Sequence, residues 1–175
     1  IGFNRQNDFN SRTVIRGVNM NNSMMQSYAN TLNDNRILPA SIAEYDPFGL
    51  DLAYESNLVF YDTDSKWYYC DAAFGGVIQE KTITTSGSMN ELDIAVAANI
   101  NDKLFIGFTV GVPSINYYEK STYKETDAAD TIPNFISLRY KYDLHTKGTG
   151  VNAKLGLIYK PAGWFRIGAS IHTPT

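Results

Sequence analysis

The chain has a single cysteine, Cys70, and only two histidines, His145 and His172. One thiol cannot close an internal disulfide, so the disulfide-scaffold class of small secreted domains is excluded. The histidines have neither zinc-type spacing nor cysteine partners, and no metal or cofactor motif stands out. Cations are not in excess either: 15 Lys and Arg against 18 Asp and Glu give a formal net charge of -3 and a pI near 5.3. That balance lacks the clustered positive charge that nucleic acid demands, so nucleic acid is not an expected partner. No apolar run approaches the roughly 20 residues of a membrane helix. The best, Leu104 to Val112, is broken by glycines. The first residue is Ile and no charged leader precedes an apolar stretch, which reads as an internal segment of a longer chain.

What is present points to β structure. Hydrophobic residues make up 43% and charged residues 19% of the 175, too apolar for a disordered chain. The length suits one domain or a piece of a larger one. The 12 Tyr, 9 Phe and 13 Gly favour strands and tight turns over helical bundles.

Apolar residues recur at every second position in the second half, which is the strand period. Leu92, Ile94, Val96, Ala98 and Ile100 share one face, against Asp93, Ala95, Ala97 and Asn99. After an Asn101-Asp102-Lys103 turn, Leu104, Ile106, Phe108, Val110 and Val112 repeat the pattern. Val151, Ala153, Leu155, Leu157 and Tyr159 then lead through Lys160-Pro161-Ala162-Gly163 to Phe165, Ile167, Ala169 and Ile171. Two hairpins are predicted over 81–175. Their less apolar face carries Asp93, Asn152, Lys154, Arg166 and His172 among glycines and alanines.

In a soluble sandwich the polar face is outside, whereas in a membrane barrel the apolar face meets lipid and the polar face lines the lumen. Alternation alone does not choose between these, but three observations favour the barrel. The sorted strands span about 9 to 12 residues, the length of a tilted membrane strand. Their phase slips near Met89-Asn90, Pro113-Ser114 and Lys147-Gly148, and each slip implies a bulge at one common height. Finally, turns of a few residues on one side face long connections on the other, from about Asn10 to Glu80 and from about Lys120 to Asn134, as in outer-membrane barrels with short periplasmic turns.

The long connection, 10–80, carries its own pattern. Asn21 and Asn22 are candidate caps before a helix over Ser23 to Leu32, with Met24, Tyr28 and Leu32 on one face. A second short helix is predicted over Ala40 to Tyr45, ending before Asp46-Pro47. Met24, Met25, Tyr28, Leu32, Ile37, Leu38 and Ile42 make this the candidate surface for capturing a lipophilic ligand, since methionine adapts to irregular shapes. The alternative for the same face is packing within its own loop.

Several tempting motifs lack their context. Gly148-Thr149-Gly150-Val151-Asn152-Ala153 matches a dinucleotide pattern but is followed by strand alternation, not the helix that would hold a pyrophosphate. Asp62-Thr63-Asp64-Ser65-Lys66 begins like a calcium loop but puts Lys at a ligand position, so a solvated turn is expected. Ser, His and Asp occur without a nucleophile elbow, and no catalytic signature is present.

The stretch from Gly87 through Gly107 resembles the FadL/TodX outer-membrane transporters of hydrophobic compounds. So, more specifically, does Gly148-Thr149-Gly150-Val151-Asn152-Ala153-Lys154-Leu155-Gly156-Leu157-Ile158-Tyr159-Lys160-Pro161 with Arg166-Ile167-Gly168 and His172-Thr173-Pro174. The resemblance implies a fourteen-stranded barrel, an N-terminal hatch and lateral release of lipophilic cargo. Here the strands number roughly five, with no hatch and no Asn-Pro-Ala start, so the chain reads as an interior segment, 1–175 forming part of one up-and-down transmembrane barrel. The expected function is passive passage of fatty-acid-like or aromatic molecules through a Gram-negative outer membrane, without chemistry. Its partners would be the cargo and membrane lipid. The competing readings are a soluble β-sandwich or lipocalin-like binder and a surface adhesin, and a need for detergent in extraction separates the barrel from the soluble binder.

Overall fold

A computed structural model describes residues 1–72, 76–127 and 129–175. Among the described residues, nine strands and three short α-helices follow the order β1(Gly2–Asp8), β2(Ser11–Asn19), α1(Met24–Asp34), α2(Ile42–Tyr45), α3(Leu50–Glu55), β3(Phe60–Asp62), β4(Trp67–Tyr69), β5(Val77–Ile100), β6(Leu104–Asp127), β7(Ser137–Thr149), β8(Asn152–Ala162) and β9(Phe165–His172). The fold is thus mainly antiparallel β, as the alternation predicts. The main sheet runs β1-β5-β6-β8-β9, with β2 also on β5 and β7 also on β6, and it is open among the described residues.

Two compact units divide the chain. The sheet unit comprises Ile1–Arg12, Ile83–Lys120 and Tyr142–Thr175, and the helical unit Thr13–Thr82 and Ser121–Lys141.

In the sheet unit, Asn101 and Asp102 both have positive φ, and Lys103 donates its N–H to the Ile100 carbonyl at 3.1 Å. That is the turn whose twist suits a tight hairpin. Gly107 pairs with Gly156 and Phe108 with Leu155 across β6 and β8, then Leu155 with Ile171 and Leu157 with Ala169 across β8 and β9. The predicted faces are therefore in register. Of the expected phase slips, the one near Met89-Asn90 meets a register irregularity, and its extra residue, Gln6, lies on β1. The β1–β5 register shifts between Arg5 and Asn7, opposite Asn90 and Met89. Gly87 has φ +118, and β7 breaks from β8 where the Gly150 N–H bonds the Pro113 carbonyl at 3.0 Å. The nucleotide-like glycines lie at this strand break.

The strands extend further than alternation indicates. Ser11–Asn19 lies inside the predicted long connection yet forms β2, and β6 continues to Asp127, beyond the expected exit at Lys120. Polar residues on both faces of these segments hide the period of two.

The helical unit has cores of its own. Ser23, not Asn21 or Asn22, caps α1, its side chain accepting the Gln26 N–H at 3.1 Å. Ala29, Leu32, Ile42, Leu50, Ala53, Val59 and Tyr68 form one cluster. Met25, Cys70, Ala72, Val77, Phe135 and Leu138 form another. The Asn33 amide clips onto β4, donating to the Tyr68 carbonyl at 2.9 Å and accepting the Tyr68 N–H at 2.8 Å. Glu125, fully buried, accepts the Met24 N–H at 2.8 Å, the Gln79 amide at 2.8 Å and the Tyr123 hydroxyl at 2.5 Å. Its carboxylate at the α1 N-terminus suits the helix dipole. Burial pushes the Cys70 thiol up to about 11 and the Tyr68 hydroxyl up to about 12, so the lone cysteine is a weak nucleophile. Asp62-Thr63-Asp64-Ser65-Lys66 joins β3 to β4, the Asp62 carboxylate accepting the Asp64 N–H and the Ser65 hydroxyl.

Candidate functional site

The two faces of the sheet unit differ in chemistry. One carries large apolar side chains that none of the described residues covers: Val96 is 65% exposed, Leu155 47% and Ile171 68%, with Ile94, Phe108 and Ile167 also exposed. Soluble monomers rarely leave so continuous an apolar surface open to water.

The opposite face carries a charged network. Lys154 Nζ lies 3.0 Å from Glu91 Oε1 and 3.3 Å from Asp93 Oδ1. The Asn152 amide donates to Glu91 Oε1 at 2.9 Å, Asn4 donates to Asp93 Oδ2 at 3.0 Å, and Gln6 donates to Glu91 Oε2. Because β6 lies between β5 and β8, Lys154 and Asn152 reach carboxylates about two strand spacings away, roughly 10 Å. Gly111, opposite Asn152 on β6, leaves the path clear. A Cβ there would come 2.2 Å from Glu91 Oε1 and 2.5 Å from Asn152 Oδ1. The Glu91 side chain is 3% exposed, a burial that a carboxylate sustains only when paired.

Of the residues expected on the lumen face, Asp93, Asn152 and Lys154 meet in this network. His172 pairs in register with Lys154 and is exposed, while Arg166 stands exposed on β9. Glu91 shares the parity of Asp93 and was legible from it, whereas Asn4 and Gln6 come from a strand with no apolar alternation. Replacing Lys154 with Met is expected to destabilise the sheet unit, because Glu91, whose side chain is 3% exposed, loses its cation. Adding Glu91→Gln should recover part of that loss, which the urea denaturation midpoints of the two variants would measure.

Nearer the short turns, the sheet unit holds a hollow of about 660 Å³ whose lining comes from residues of both parities, Ala97, Phe105 and Gly107 with Ala98, Ile106 and Leu157, and is mostly apolar, with Asn99 and Ser170 as its polar side chains.

The helical unit offers a groove of about 330 Å³ lined by Leu32, Asn33, Arg36, Ile37, Leu38, Tyr61, Lys66, Trp67 and Tyr68. Of the predicted capture residues, Leu32, Ile37 and Leu38 line it. Met25 and Ile42 are sealed in the cores, and Met24 and Tyr28 pack against those cores. The Met24–Tyr28–Leu32 face therefore mainly holds its own unit together, and the accessible apolar surface belongs instead to Leu38 and Trp67, both more than half exposed. Tyr61 and Trp67 carry no signal in the sequence, since they come from a hairpin too short to show a period, and Lys66 stands out there only as the misfit in the calcium-like loop. Arg36 and Lys66 add positive charge, and Asn33 an amide, to a lining that is elsewhere apolar and aromatic.

Among the described residues no group of three or more His, Cys, Asp or Glu side chains is gathered as a metal site. No family model, curated protein or solved structure matches the chain.

Proposed function

We propose that this chain is part of an outer-membrane β-barrel that admits hydrophobic small molecules without catalysing a reaction. The observation that carries the reading is the distribution of polarity in the sheet unit. One face carries the Lys154–Glu91–Asp93 network, and the other is a band of Leu, Ile, Val and Phe that the described residues leave exposed. A soluble lipocalin-like barrel needs the reverse, an apolar interior and a polar exterior, whereas a membrane barrel puts its apolar face to lipid. Trp164, Phe165 and Tyr159 near the β8–β9 turn suit an interfacial aromatic belt. The FadL/TodX resemblance agrees with this reading at the level of strand pattern.

Initial capture is assigned to the groove of the helical unit. Its apolar lining would stabilise a bound ligand at about 25 cal/mol per Å² buried, before ordering costs, and Arg36 and Lys66 suit a cargo with an anionic end. Changing Leu38 and Trp67 together to Ser leaves both cores intact. Uptake of palmitate and of a neutral aromatic hydrocarbon by cells carrying this variant is expected to fall severalfold, with folding verified by heat-modifiable gel mobility. Uptake at the parental rate by the folded variant removes the capture role.

A further inference from the structure

We draw no further inference here: the strongest candidate, the mostly apolar hollow of about 660 Å³ in the sheet unit between β5, β6, β8 and β9, carries nothing, because nothing in the structure shows what covers it.

Discussion

Arginine in place of Val96 or Leu155 is expected to destabilise the protein in a bilayer by about 2–4 kcal/mol, the cost of a cation on the lipid face near the midplane. The prediction is sharp because both side chains are already open, 65% and 47% exposed. If water were their solvent, the same changes would fall within about 0.5 kcal/mol of neutral, as surface substitutions do. Arginine at Ala95 or Ala97, one step along β5 on the other face, is the control. There the charge joins the face of Asp93 and should cost much less. Equilibrium unfolding from lipid vesicles, read by tryptophan fluorescence, gives all four values. Equal costs on both faces would remove the assignment of lipid to one of them.

Gly87→Ala should be at least as damaging, for a reason independent of solvent. Gly87 holds φ +118, which L side chains rarely adopt, and a Cβ there would come 2.0 Å from the Asn116 carbonyl oxygen on β6. Its own carbonyl accepts the Phe9 N–H at 3.1 Å, and the Thr85 hydroxyl donates to the Phe9 carbonyl at 2.5 Å. The residue thus sits where β5 bends between two neighbours, and neither backbone can yield without losing sheet hydrogen bonds. Backbone strain of this kind costs about 1–3 kcal/mol, and the clash adds to it, so a loss of at least about 3 kcal/mol is expected. Gly107→Ala and Gly156→Ala, where a Cβ meets nothing within 4 Å, should be tolerated. The three variants compared by heat-modifiable mobility and denaturation midpoint separate a positional requirement from a general effect of removing glycine.

The near-turn halves of the hairpins were legible because one face must be apolar whatever it meets, and a period of two records that need directly. Outside those halves the requirement lapses. Ser11–Asn19 and the far ends of β5 and β6 mix polar and apolar side chains on both faces, so their pairing is a matter of register with neighbours that the local sequence does not encode. The polar network shows the same division. Parity placed Asp93, Asn152 and Lys154 on one face, but their meeting over Gly111, and the burial of Glu91 against Gln6, depend on strands more than 60 residues apart in sequence. In the helical unit, the pattern around Met24, Tyr28 and Leu32 correctly announced a covered helix face. It did not say whether ligand or the protein itself covers it, and the cores of the unit supply that cover.

The most direct test is the solvent met by each face of the sheet unit in the membrane-reconstituted protein. Nitroxide labels at Val96 and Leu155, with Asp93 and Thr109 as opposite-face partners, report collisions with oxygen, which concentrates in lipid, and with a water-soluble nickel chelate. Lipid on the apolar face predicts high oxygen and low nickel accessibility at Val96 and Leu155, and the reverse ratio at Asp93 and Thr109. Nickel accessibility at Val96 and Leu155 equal to that at Asp93 and Thr109 would contradict the barrel assignment.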